Sequence, residues 1–197
     1  MLEARGLACL RGERAVFAGL SFRVEPGAAL LLTGANGAGK SSLLRLLAGL
    51  LPPVAGALLW NGGDALADRA AHAGRLRYLS PQDALKPSLT ARESLRFAAR
   101  LHGGGDPDAA LGAFALLPLA ELPVRVLSTG QRRRLALARL ALAPAPLWLL
   151  DEPTLGLDAA SVGRLGGLLA KHREAGGAVV AATHLPLPLP GAAELRL

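Results

Sequence analysis

The chain is 197 residues long, 51% hydrophobic and only 4% aromatic, with 22 basic residues against 15 acidic ones and a formal charge of +7. That length holds one domain, or one with a small inserted subdomain, and the apolar content excludes a disordered chain and calls for a core filled by Leu, Val and Ala. A single cysteine, Cys9, excludes an internal disulfide and a multi-cysteine metal site, and the histidines (72, 102, 172 and 184) have no metal-ligand spacing.

Only Lys40, Lys86 and Lys171 are lysines; the remaining cations are arginines. Such a balance fits a polyanionic partner (nucleotide, nucleic acid or anionic lipid) or simply an Arg/Ala/Gly/Pro-biased coding composition, so charge alone names no partner. The N-terminus is charged from the start, unlike a secretory leader. The uncharged stretch 46–63 contains Pro52-Pro53 and four glycines, and the stretch 175–193 contains His184 and three prolines. Neither reads as a membrane-spanning helix, so membrane contact is expected only through a partner.

In chain order, Leu2–Leu10 reads as an edge strand and Ala15–Val24 as a second strand before the turn at Pro26-Gly27. Ala28–Thr33 is a short apolar run suited to a buried strand, and it ends in the glycine-rich loop 34–39. Lys40–Leu50 then has leucines at buried-helix spacing, and Leu58–Trp60 and Leu76–Leu79 are short strand candidates. Beyond Leu89 the composition shifts to Ala, Leu and Arg. Thr90–His102 and Pro107–Leu117 have helical patterning around a break at Gly103–Gly105. Strands return at Leu147–Leu150 and Ala178–Thr183, around a helix near Ala159–Ala175, and Ala193–Leu197 is a last strand candidate.

Gly34-Ala-Asn36-Gly37-Ala-Gly39-Lys40-Ser41 satisfies the phosphate-loop pattern G-x-x-x-x-G-K-[ST] between a strand and a helix. Glycines there let backbone N–H groups converge on phosphate oxygens at a helix N-terminus. Lys40 is placed to reach the β- and γ-phosphates and the Ser41 hydroxyl to ligate Mg²⁺, with Ser42 next to it. Leu147–Leu150 runs into Asp151-Glu152. A carboxylate at a buried strand end beside a phosphate loop suits Mg²⁺, hence Asp151, and the adjacent Glu152 suits the orientation or deprotonation of an attacking water.

Leu127-Ser128-Thr129-Gly130-Gln131, followed by Arg132-Arg133-Arg134-Leu-Ala-Leu-Ala-Arg139, resembles the signature motif of the ABC transporter ATPases and the helix after it. The family pattern has glycine where this chain has Thr129. Gln82 in Leu-Ser-Pro-Gln resembles the Q-loop glutamine, Leu157-Asp158 the D-loop, and His184 in Ala-Ala-Thr-His the switch histidine. All six elements occur in the family's order. The family's adenine-stacking aromatic is absent, its place falling near Arg11, where a guanidinium plane could substitute. The run Arg132–Arg134 reads as a solvated or intersubunit helix start rather than a nucleic-acid surface.

The resemblance spans essentially the whole chain and implies an α/β fold: a P-loop NTPase core of ABC type with an antiparallel β subdomain and a small inserted helical subdomain. It implies one nucleotide-binding domain over 1–197, with the helical subdomain at about 84–140. It implies ATP and Mg²⁺ as cofactors, with Glu152, His184 and Gln82 catalytic and Ser41, Gln82 and Asp151 around the metal. Nucleotide contacts would come from Gly34, Asn36, Gly37, Gly39, Lys40, Ser41 and Ser42. Ser128, Gly130, Gln131 and Asp158 would act across a head-to-tail dimer with a second copy of the chain.

Ala84-Leu-Lys-Pro-Ser-Leu-Thr90, Pro146-Leu-Trp148-Leu-Leu and Thr183-His-Leu-Pro-Leu187 further resemble the ATPase subunits of the haem exporters used in bacterial cytochrome c maturation. That likeness implies an integral-membrane permease as partner, no nucleic acid, and a peripheral location on the cytoplasmic face of the bacterial inner membrane. An ABC ATPase for another cargo, or a soluble ABC ATPase acting on nucleic acid, remains the alternative at this point.

Overall fold

A computed structural model describes residues 1–12 and 14–197. The backbone forms two sheets. In the first, β1 (Leu2–Arg11) pairs antiparallel with both β2 (Arg14–Val24) and β4 (Ala55–Trp60), and β5 (Gly63–Asp64) closes the far side. The expectation that β1 lies at an edge is therefore wrong: it is flanked on both sides, and β2 and β5 are the edges. Alternation in Leu2, Ala4, Leu7 and Cys9 reports one buried face, but it says nothing about a neighbour some fifty residues downstream.

The second sheet is parallel, in the order β6 (Leu76–Leu79), β7 (Leu147–Asp151), β8 (Ala178–Ala182), β3 (Ala29–Thr33) and β9 (Ala193–Arg196). A parallel sheet is covered on both faces, which is why β7 and β8 are apolar without interruption until Asp151. Their residues nevertheless alternate between two cores. Leu147, Leu149, Ala178 and Val180 join Leu43, Leu44, Leu46 and Leu47 of α1 (Lys40–Leu47) and the antiparallel sheet. Trp148, Leu150, Val179 and Ala181 pack instead with Leu165 and Leu169 of α6 (Ala159–Glu174) and with α3 (Ala91–His102), α4 (Pro107–Ala113) and α5 (Thr129–Ala138).

Helix ends follow local chemistry. The α3 start is a capping box: the Glu93 amide donates to Thr90 Oγ1 at 3.1 Å and the Thr90 amide to Glu93 Oε2 at 2.8 Å. Its end is Gly103 in the left-handed region. Two helices stop short of expectation. α1 ends at Leu47, with Leu50 exposed beyond it, and α4 ends at Ala113, before a short 3₁₀ turn at Leu117–Leu119. α2 (Arg69–Gly74) carries no strong apolar period and was not anticipated; Asp68 caps it, and the buried His72 ring lies 2.8 Å from the Leu47 carbonyl. Among the described residues, no helix is long and apolar enough to cross a membrane.

Candidate active site

β3 delivers the chain into loop 34–39 and α1 carries it away, so the first amides of α1 face the space above the sheet. α1 has no side-chain cap and no acid in its first turn. Its N–H groups and the positive end of its dipole are thus left for an external anion. Gly39, at φ 106°, packs so tightly on Val16 that any side chain there would overlap it. Gly34, at φ 132°, would bring a Cβ to 2.6 Å from the Leu197 carbonyl oxygen. The loop's shape is therefore tied to glycine at both positions.

Arg11, Val16, Asn36, Gly37, Gly39, Lys40, Ser41, Ser42 and Glu152 line a cavity of about 240 Å³ at this helix start. The Lys40 ammonium lies over the loop, donating to the Gly34 carbonyl at 2.7 Å and the Ala35 carbonyl at 3.0 Å. Arg11 stands at the cavity wall with Val16, near the place of the family's base-stacking aromatic.

The end of β7 supplies the acids. Asp151 is 1% exposed. Burial pushes its carboxyl above the ordinary range; the Ser41 hydroxyl offsets part of this, the Glu152 charge raises it further, and Arg45 and Arg133 lower it. One of its oxygens, Oδ2, is buried without a hydrogen-bond partner. An orphaned buried carboxylate oxygen beside a hydroxyl is a pair of hard donors that suits Mg²⁺.

Glu152 has φ 49°, a conformation costing a non-glycine residue about 1–2 kcal/mol, and its amide is held by the Ala182 carbonyl at 2.8 Å. The turn aims its carboxylate at the cavity and at His184, whose Nδ1 lies 3.0 Å from Oε2.

The remaining expected residues stand apart from this cavity. Gln82 is exposed, and its carbonyl accepts from the Ser80 hydroxyl at 2.5 Å. Ser128 and Gln131 satisfy one another at the start of α5: the Ser128 amide donates to Gln131 Oε1 at 2.8 Å and the Gln131 amide to Ser128 Oγ at 3.2 Å. Gly130 lies against the Gly156 carbonyl. Asp158 caps α6, accepting from the Ser161 amide at 2.7 Å, and its hydrogen bonds with Ser161 hold its carboxyl below the ordinary range.

Arg133 is not part of a solvated helix start, being only 3% exposed. It shares the inward face of α5 with Leu137, one turn on, and that spacing was the available signal. Its guanidinium donates to the Ser80 carbonyl (2.9 Å), Asp83 Oδ1 (3.0 Å), and the carbonyls of Asp151 (3.2 Å) and Glu152 (2.6 Å). Arg139 adds a bond to the Asp83 carbonyl at 2.8 Å.

A phosphate loop on a parallel sheet, two acids at the neighbouring strand end and a signature helix define the ATP-binding subunits of ABC transporters. The family model described as "ABC transporter" matches residues 17–155, and the chain belongs to that family. Within it, the chain is 61% identical over 193 residues to the cytochrome c biogenesis ATP-binding export protein CcmA of Rhodospirillum rubrum, covering 97% of this chain and 83% of the relative. It is 55% identical to the protein of the same name from Paramagnetospirillum magneticum, covering 99% and 93% respectively. Among solved structures it resembles the dimeric post-hydrolysis state of the ATP-binding cassette MJ0796 bound to ADP and Pi. The TM-score is 0.82 at 25% identity, covering 94% of this chain and 88% of that one. The chain is an ABC-type ATPase, with the α/β fold expected of one.

Proposed function

We propose that this chain powers haem export or haem-chaperone release in cytochrome c biogenesis. It would act as a peripheral subunit on the cytoplasmic face of the bacterial inner membrane, bound to an integral-membrane permease. The observation that carries this reading is the 61% identity over 97% of the chain to an export protein of that process. The markers after the Q-loop and the switch histidine, Ala84–Thr90 and Thr183–Leu187, support it.

In the mechanism, the α1 amides and Lys40 hold the β- and γ-phosphates of ATP. Lys40 exchanges its two loop carbonyls for phosphate oxygens, a charge-assisted replacement. Glu152 accepts the proton of the attacking water as oxygen bonds to the γ-phosphorus and the bond to ADP breaks, while His184 holds the carboxylate in place. Ser41, Asp151 and, after movement of its loop, Gln82 would hold Mg²⁺, which when bound supplies charge neutralisation on the phosphates. Ser128 and Gly130, outside this chain's own cavity, would serve the nucleotide of a second copy, with Gln131 and Asp158 at the same junction. The segment at about 84–140 would be the helical subdomain carrying the motion to the permease. Dimer closure follows if ATP binds the closed pair more tightly than the open one.

Haem staining of c-type cytochromes in cells lacking the chain tests the assignment. Complementation by wild type but not by Lys40→Ala supports it; normal cytochromes c without the protein would sink the haem role and leave an ABC ATPase for a different cargo.

A further inference from the structure

We infer that Arg133 is a positioning residue for ATP hydrolysis, aiming Glu152 through its backbone and making that aim depend on the docking of the loop that carries Gln82. The guanidinium forks between two segments far apart in sequence. Nη1 donates to the Ser80 carbonyl and to Asp83 Oδ1, residues on either side of Gln82. Nη2 donates to the carbonyls of Asp151 and Glu152, the two acids of the site.

The bond to the Glu152 carbonyl is the shortest of the four at 2.6 Å, and it falls on the residue held in the left-handed backbone region at φ 49°. A peptide held in a sparsely populated conformation needs its carbonyl and amide fixed from outside. The Ala182 carbonyl fixes the amide and Arg133 fixes the carbonyl. With both ends pinned, the carboxylate points toward the cavity and His184. On the other prong, Arg139 seconds the hold by donating to the Asp83 carbonyl at 2.8 Å.

The arginine is almost fully buried, and its Nε has no hydrogen-bond partner among the described residues. A site chosen only to satisfy a buried cation would not leave a donor orphaned while spending the other four bonds on two catalytic segments. Movement of the 80–83 loop removes two of the four acceptors, so the fork relaxes on the acid side as well. Arg133 therefore links loop position to the geometry of the base without touching nucleotide.

This inference rests on the reading of Glu152 as the base, and the test separates the two. Steady-state ATP hydrolysis and equilibrium ATP binding are measured on the full chain for Glu152→Gln, Arg133→Met, Arg133→Lys, Asp83→Ala and the Arg133→Met/Asp83→Ala pair. Arg133→Met is expected to lower kcat about tenfold or more with KM and ATP affinity within about twofold of wild type. Arg133→Lys keeps the charge but cannot span both segments, so it should not restore the rate.

Asp83→Ala, on an accessible loop, should fold normally and lower kcat by a smaller factor. It should add nothing in the Arg133→Met background, because both act through one fork. Unchanged kcat in Arg133→Met, full rescue by lysine, or independent multiplication of the two losses would overturn the inference. If Arg133→Met does not fold, an unchanged kcat in Asp83→Ala overturns it alone. If Glu152→Gln still hydrolyses ATP, the base assignment itself has failed.

Discussion

The N-termini of α1 and α5 are both helix starts following a loop, and they are built in opposite ways. α1 begins at Gly39 with no side-chain cap, so its amides open on the 240 Å³ cavity. α5 begins at Ser128 with a reciprocal capping box, so Ser128 and Gln131 satisfy each other. A helix start leaves several N–H groups without intrahelical partners, and what fills them decides its use. At α1 they are held for an anion by a loop whose shape depends on glycine. At α5 the serine hydroxyl serves its own helix until something better replaces the 3.2 Å bond it accepts. The first start opens on a cavity within one chain; on the proposed reading, the second meets its ligand only when a second copy brings it.

The sharpest way to break this contrast is Lys40→Ala. The uncapped start would lose the cation that now bonds the Gly34 and Ala35 carbonyls, and ATP affinity is expected to fall by about a hundredfold or more. Titration with a fluorescent ATP analogue measures it, and equal affinity would contradict the account.

Next comes Ser128, where aspartate caps as well as serine but carries a negative charge. Ser128→Asp should keep the thermal stability that Ser128→Ala loses, about 1 kcal/mol, and yet abolish hydrolysis. Neither change should weaken ATP binding to the chain's own cavity.

Asp151→Asn should act on stability in the opposite sense. Burial raises the folded pKa of this acid above its unfolded value. Its contribution is therefore fullest below the unfolded pKa and is lost as pH rises, so at neutral pH the ionised carboxylate destabilises the unliganded fold. Removing the charge should raise Tm while hydrolysis disappears. A Tm that falls would contradict the geometry around Oδ2.

The smallest effect concerns His172, stacked on Trp148 at 3.7 Å between ring centroids. Burial lowers its pKa below the ordinary 6.5, with the hydrogen bond to the Ala178 carbonyl partly opposing this. A depressed histidine contributes stability above its unfolded pKa and loses it as pH falls below about 6.5. From pH 7 to 5 this ring's contribution should fall, and His172→Phe should remove that pH-dependent share. Denaturant unfolding at the two pH values reads the difference.

How much was legible in the sequence follows the same divide between local and non-local determinants. The phosphate loop was readable because its function is written in contiguous glycines, one lysine and one serine, with a strand before and a helix after. The two cores were implied by the unbroken apolar runs of β7 and β8, since only a sheet covered on both faces permits them. The interior position of β1 was not readable, because its second neighbour is chosen by tertiary pairing rather than by its own alternation. Arg133 was misread for a related reason. Three consecutive arginines look like a solvated patch, yet a helix turns each through about 100°, and the middle one falls on the face that Leu137 buries. Three of its four acceptors are main-chain carbonyls on two other segments, and no residue type advertises those.

The central claim is that the uncapped α1 start and the strained Glu152 form one hydrolytic site, and phosphate release by Glu152→Gln tests it most directly. ATP binding equal to wild type with hydrolysis reduced by about a hundredfold or more is the predicted result. Hydrolysis within twofold of wild type would contradict it and move the base elsewhere.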